Sequence, residues 1–307
     1  MANLFGVAIV QMQVVPWDAE KTMERMEQRL SYIRRAFPWV NLVCFPELCP
    51  TGTAPLDPLP PGCAWDATAE AIPKNIKGKR SGSGPLTERL AAMARRHQVW
   101  LQPGSIYERD GDALYNTALV FSPQGELVAR YRKMFPWRPW ETLAGGREFC
   151  VFDIPDVGRF GLCICYDGWF PEVIRTLTWM GAEVIIHPSL TGTVDRSAEL
   201  IIEQAHAILN QCYMVNANTA PTTGGGKSII VDPNGRVLQQ AGDHEEIMTE
   251  IIDLDLVRRV RELGTVGLNQ HLKQLRDFEG EFPAYTQGIR QGEMFQNLGP
   301  LRLPREL

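Results

Sequence analysis

The chain has 307 residues, 44% of them hydrophobic and 22% charged, enough for one large domain or two small ones with an extensive apolar core. The 36 acidic residues outnumber the 31 basic ones and leave a net charge of −5, which excludes a general nucleic-acid binder with its basic excess; no apolar run reaches the ~18 residues of a membrane-spanning helix. Seven cysteines, odd in number and without framework spacing, point to reduced thiols in a cytoplasmic protein, and the N-terminus carries no basic, apolar signal segment.

Leu4 to Val10 reads as a short β-branched strand. Asp18 to Arg35 reads as a helix, with Asp18 as N-cap and Met23, Met26, Leu30 and Ile33 recurring at three- and four-residue steps. Val40 to Phe45 is a second strand, stopped by Pro46. Residues 50–84 are rich in Pro, Gly and Ser and read as a long loop, whose basic run from Lys74 to Gly84 is a solvated excursion. Leu86 to Arg96 follows as a helix, then strands over Val99–Tyr107, Leu114–Phe121 and Leu127–Arg132, separated by Asp110-Gly111-Asp112 and Pro123-Gln124-Gly125 turns.

The second half repeats the theme. A strand over Arg159–Cys165 leads to a helix over Pro171–Met180, a strand over Glu183–His187 and a helix over Ser197–Asn210. Strands over Tyr213–Asn218, Ser228–Val231, Val237–Gln240 and Ile247–Ile252 complete it, with Asp232-Pro233-Asn234-Gly235 as a hairpin turn. Single strands and hairpins alternate with helices, so the sheets should be mixed rather than purely parallel. Residues 1–262 form one domain in this reading. Residues 263–307 lose regular pattern and form a tail lying on the body or on a neighbouring subunit.

Three segments place a reactive side chain at the end of an apolar strand, where catalytic groups of α/β proteins collect. Glu47 follows Leu42-Val43-Cys44-Phe45-Pro46, and taken alone would read as a surface or capping residue. Lys133 follows Tyr131-Arg132 and precedes Met134-Phe135-Pro136-Trp137-Arg138-Pro139-Trp140-Glu141. A lone lysine is normally solvated, but the surrounding rings and prolines imply a rigid, partly buried wall. Cys165 ends the strand Gly161-Leu162-Cys163-Ile164 and begins the turn Tyr166-Asp167-Gly168, where a helix N-terminus lowers a thiol pKa. Cys163, two residues earlier, should share its sheet face and serve as a small core residue. There is no second cysteine pair at zinc spacing and no His-Glu-x-x-His, so no metal is expected; Gly-x-Ser-x-Gly, Walker and Gly-x-Gly-x-x-Gly signals are absent too. Histidines 97, 187, 206, 244 and 271 read as structural.

Together these segments resemble the nitrilase superfamily of carbon–nitrogen hydrolases, in which Glu, Lys and Cys occupy three strand ends in that order. Phe45-Pro46-Glu47 is similar to its glutamate motif, Tyr131-Arg132-Lys133 to its lysine motif, and Cys165-Tyr166-Asp167 with Phe170-Pro171-Glu172 to its cysteine motif. The resemblance spans about residues 4–280. It implies a four-layer α-β-β-α sandwich with two mixed sheets, assembled as a homo-oligomer (a dimer or a multiple of dimers) through the helices after the cysteine strand. It implies no cofactor, and the roles of general base for Glu47, oxyanion-stabilising cation for Lys133 and nucleophile for Cys165. Pro136-Trp137 and Glu141, eight positions past the lysine, resemble the aliphatic amidase and formamidase branch, as does Asn269-Gln270-His271-Leu272.

The chemistry is coherent. An amide is a poor electrophile, and a covalent route splits one barrier into two. A free thiol (pKa ~8.5) gives its proton to a free glutamate (~4.3) uphill by ~4 units, roughly 6 kcal/mol, so the surroundings must close that gap. Lys133 and the helix N-terminus are expected to favour the thiolate. The expected reaction is hydrolysis of a small amide through a thioester. Lys133 and the Tyr166 backbone N–H hold the oxyanion, Glu141 orients Lys133 or the leaving ammonia, and Trp137 walls the acyl pocket. A nitrilase or N-carbamoyl amide hydrolase with the same trio, or acyl transfer to another acceptor, remain alternatives; a non-catalytic binding module would need none of the three residues.

Overall fold

The computed structural model describes residues 3–301, apart from 56, 65, 73–83, 287–291 and 297. Almost all of the basic run from Lys74 therefore lies outside the described residues.

Alternation along the strands builds the layers. In β1 (Leu4–Gln11), Phe5, Val7 and Ile9 join a cluster shared with the second sheet, while Ala8 and Val10 face helices. Those helices are α1 (Ala19–Ala36) and α2 (Pro85–His97). Asp18 caps α1 by accepting from the Lys21 N–H at 2.9 Å, and Met23, Met26, Leu30 and Ile33 are its buried face. Between them, β2 (Leu42–Cys44) and β3 (Trp100–Gln102) run parallel to β1, each reached through one of the two helices. Antiparallel β4 (Ser105–Asp110), β5 (Ala113–Phe121) and β6 (Leu127–Arg132) extend the seven-stranded sheet on one side, and β13 (Glu246–Asp253) closes the other edge against β1.

The six-stranded sheet runs β12-β11-β10-β9-β8-β7. Its parallel centre is β8 (Gly158–Leu162), β9 (Val184–Ser189) and β10 (Tyr213–Asn218), crossed over by α3 (Pro171–Trp179) and α4 (Arg196–Asn210). Antiparallel β7 (Cys150–Ile154), β11 (Ile229–Val231) and β12 (Val237–Gln240) flank it. In β9, Val184 and Ile186 point to the inter-sheet cluster and Ile185 to α3 and α4. The result is the expected four-layer α-β-β-α sandwich with two mixed sheets.

Several elements differ from the sequence reading. The strand expected over Val99–Tyr107 is two, β3 and β4, broken at Gly104. There φ is +91°, and a Cβ would lie 1.8 Å from the Pro46 carbonyl oxygen, so only glycine allows the Glu47 loop to pass. The edge strand β7 was not anticipated, because its run is short and interrupted by exposed Asp153. Nor was α5 (Leu254–Leu263), which is capped by Asp253 and buries Leu254, Val257 and Val260. Beyond it lies α6 (His271–Arg276). The His271 ring bonds the Leu209 carbonyl of α4, and Tyr285 meets Trp179 of α3 edge-on with centroids 6.1 Å apart.

Candidate active site

The three reactive strand ends open into one cavity of about 420 Å³ between the sheets' ends, walled by Trp17, Tyr107, Trp137, Trp140 and Tyr166. Glu47 follows β2 through Pro46. Its N–H donates to the Ser189 carbonyl at 3.3 Å, tying this loop to the other sheet. Lys133 follows β6 and its N–H donates to the Asn116 carbonyl of β5 at 2.8 Å. Both side chains are almost fully buried, Glu47 at 4% and Lys133 at 2% exposure, a depth at which lysine and glutamate must be paired.

They are paired with each other. The Lys133 ammonium donates to Glu47 Oε1 at 2.9 Å and to Glu141 Oε2 at 2.8 Å. Asn116 Nδ2 donates to Glu47 Oε1 at 2.7 Å and to Glu141 Oε1 at 3.3 Å, and the Trp137 N–H donates to Glu141 Oε2 at 2.9 Å. Burial disfavours the Lys133 charge, but the charges of Glu47 and Glu141 outweigh it and hold the ammonium well above the usual lysine range. Burial also works to raise the Glu141 carboxyl, yet the charge and hydrogen bond of Lys133 keep it below the usual carboxylate range.

Cys165 begins a 3-10 turn, Cys165–Trp169, and takes φ = +45°, a left-handed conformation costing of order 1–3 kcal/mol in a residue with a Cβ. The surroundings hold it there. The His187 ring bonds the Cys165 carbonyl at 2.8 Å and Glu203 at 2.5 Å. Gly168 lets that ring approach, since a Cβ there would lie 2.6 Å from His187 Cε1. Burial lowers the His187 pKa, but the Glu203 charge and hydrogen bond outweigh it for a net rise; Asn216 Nδ2 also lies 3.1 Å from Nδ1 of the ring. Asp167 clips the turn to the lysine loop. It accepts from the Ile164 N–H at 2.9 Å, the Phe135 N–H at 2.8 Å and the Tyr131 hydroxyl at 2.7 Å, while burial pushes its carboxyl up to about 6.

Two expectations about the cysteines need correction. Cys163 and Cys165 do not share a face: Cys163 packs among α3 and α4, whereas Cys165 lies against the inter-sheet cluster and opens into the cavity. The positive φ at Cys165 breaks the two-residue alternation. The resting thiol is also not a stabilised thiolate. Burial and then the Glu47 charge push its pKa well above the free value, and Lys133 opposes this only in part. Glu47 and Glu141 against Lys133 already leave one net negative charge, so a second anion is disfavoured until a substrate is present.

The structure brings Glu47, Lys133, Glu141, Cys165, Trp137 and Tyr166 to this one cavity. Sequence reasoning missed Asn116, His187 as a backbone anchor, Thr191 and Glu199. The signal for Asn116 was a polar residue at a fully buried strand position; His187 ended a strand aimed at the same place. Among the described residues no group of three or more His, Cys, Asp or Glu could hold a metal ion, and no helix is long and apolar enough to cross a membrane.

In the comparison with known proteins, the family model for carbon-nitrogen hydrolases matches residues 6–262. The chain belongs to the carbon-nitrogen hydrolase family. It is 29% identical over 279 residues to the omega-amidase of Mus musculus, covering 85% of this chain and 92% of that protein. To the deaminated glutathione amidase of Dictyostelium discoideum it is 32% identical over 202 residues, covering 58% and 69%. Among solved structures, a Saccharomyces cerevisiae member of branch 10 of the nitrilase superfamily superposes with a TM-score of 0.70 at 26% identity, covering 84% of this chain and 93% of that one.

Proposed function

We propose that this protein hydrolyses a small amide to its carboxylic acid and ammonia through a thioester on Cys165. The observation that carries the reading is the buried Glu47–Lys133–Glu141 cluster in the wall of the cavity into which the Cys165 sulfur opens. The thiol starts protonated. As the sulfur attacks the carbonyl carbon its proton passes to Glu47, so the cluster goes from one net negative charge to neutral while the negative charge moves onto the substrate oxygen, and the total charge of the site is unchanged. An ammonium has three donors. Two bond Glu47 and Glu141, which leaves one for that oxyanion, with the Tyr166 backbone N–H as its partner. Glu47 returns the proton to the leaving nitrogen and ammonia departs. It then takes a proton from water, whose oxygen attacks the thioester, and the thiol is restored.

Glu141 and Asn116 hold Lys133 and Glu47 in register, and Trp137 and Tyr166 wall the acyl group. Lys133 is the cation among the described lining residues, and both its neighbours are acids; Glu199 and Asp195 also line the cavity. An acyl group bearing its own carboxylate would meet repulsion here, so the reading favours uncharged acyl groups. The amidase names of the relatives support an amide over a nitrile as substrate. All seven cysteines are free thiols, in keeping with a reducing cytoplasm. The outer face of α3 and α4 presents Trp179, Ile201 and Leu209 to solvent at 57%, 68% and 47% exposure, and the protein pairs through it into a dimer or multiple of dimers.

The test is ammonia release from formamide, acetamide, propionamide, aryl amides and their carboxylate-bearing, nitrile and carbamoyl counterparts. Uncharged amides should be turned over fastest, and Cys165→Ala should abolish the activity. Turnover of nitriles or carbamoyl compounds in preference to every amide would refute the assignment.

A further inference from the structure

We infer that Thr191 is a positioning residue for the nucleophile: its hydroxyl faces the Cys165 sulfur and is released to it by Glu199. The inference rests on the reading of Cys165 as nucleophile. Thr191 Oγ1 lies 3.6 Å from Cys165 Sγ, within sulfur hydrogen-bond range. The Thr191 backbone is clamped, because its N–H donates to Asn218 Oδ1 at 2.9 Å and its carbonyl accepts from Asn218 Nδ2 at 3.0 Å and the Gly225 N–H at 2.7 Å. The hydroxyl is thus fixed relative to the sulfur by a segment that carries none of the three motif residues.

A hydroxyl has one proton to give. At rest it goes to Glu199 Oε1 at 3.0 Å, so the oxygen faces the thiol as an acceptor and holds the S–H in place. Glu199 is independently supplied: Arg196 Nη1 donates to its Oε2 at 3.0 Å and Trp169 Nε1 to its Oε1 at 3.4 Å. Arg196 is itself held by Asn216 Oδ1 at 2.7 Å. Glu199 can therefore give up the Thr191 proton without being stranded. When the S–H proton leaves for Glu47, the hydroxyl turns from Glu199 to the new thiolate. Only hydrogen bonds are exchanged in this step. After burial and Glu47, and against Lys133, the Glu199 charge adds to the upward push on the thiol.

The reading makes opposite predictions for two variants. Thr191→Val keeps the shape but removes the thiolate's donor, so the pH midpoint for iodoacetamide labelling of Cys165 should rise, and kcat on a small amide should fall about tenfold with KM little changed. Thr191→Ser should restore both. Glu199→Gln removes the charge that withholds the proton and repels the thiolate, so the midpoint should fall. Labelling is read on the Cys165 peptide by mass spectrometry, so a Thr191→Val protein that folds poorly leaves the other two variants to decide. Wild-type midpoints in both Thr191→Val and Glu199→Gln, shifts of the same sign, or no rescue by serine would overturn the inference. Full amide turnover by Cys165→Ala would instead overturn the nucleophile assignment, while the labelling midpoints would still report on Thr191.

Discussion

Replacing Lys133 by Met keeps a long apolar stem and removes one charge from between two acids. With Nζ–O distances of 2.9 and 2.8 Å, each Coulomb attraction is about 6 kcal/mol at an effective dielectric of about 20, most of it offset by desolvation. Measured losses on breaking buried pairs put the net cost in stability at about 3–5 kcal/mol. Losing an oxyanion donor costs a further 10²–10³ in kcat, about 3–4 kcal/mol in the transition state. The pH dependence carries a sign as well. In the native protein the Glu141 carboxyl is depressed below its unfolded value, so its stabilisation is present above the ordinary carboxylate pKa and lost as pH falls through the depressed one. In Lys133→Met two buried carboxyls facing each other across Asn116 must share a proton. Their folded-state titration is then raised, and the variant loses stability as pH rises from about 5 to 8. Urea unfolding across that range, with ammonia release as the activity assay, reads both. Turnover within tenfold of wild type, or a loss of stability between pH 5 and 8 no steeper than the parent's, would refute the reasoning.

Asp167→Asn leaves one acceptor oxygen for the Ile164 N–H, the Phe135 N–H and the Tyr131 hydroxyl, so it should cost about 1–3 kcal/mol for each donor left unpaired and lower kcat by loosening the turn under Cys165. Because the native carboxyl titrates at about 6, above its unfolded value, its favourable contribution is present at low pH and lost as pH rises through 6. Chemical denaturation should therefore show a larger penalty at pH 5 than at pH 8, and an equal or reversed difference would count against the assignment. Ile201→Glu, on the exposed face of α4, should shift the assembly toward monomer in sedimentation experiments; a wild-type protein that sediments as a monomer at micromolar concentration would rule out pairing through this face.

Much of the sandwich could be read before any coordinates, and the reasons are local. Met23, Met26, Leu30 and Ile33 mark one face of α1 by spacing alone, and Asp18 marks its start. Glu47, Lys133 and Cys165 were legible because each ends an apolar strand with a residue that strand has no use for. What escaped depends on contacts between segments far apart in sequence. Asn116 sits beside Thr117 in a mostly apolar strand, and only the approach of residues 47 and 141 gives its amide a task. Thr191 and Glu199 straddle a helix start, eight residues apart, and matter only because the Cys165 turn packs over them. The face of Cys163 was misjudged for a related reason. Two-residue alternation holds within a strand, but β8 ends at Leu162, before either cysteine, and the backbone is left-handed at Cys165.

The most direct test of the account is mass spectrometry of the protein under single turnover with a small amide. The account predicts an added acyl mass on the peptide containing Cys165, absent in Cys165→Ser. Continued turnover with no adduct at that position, or with the acyl group found on Cys163, would contradict it.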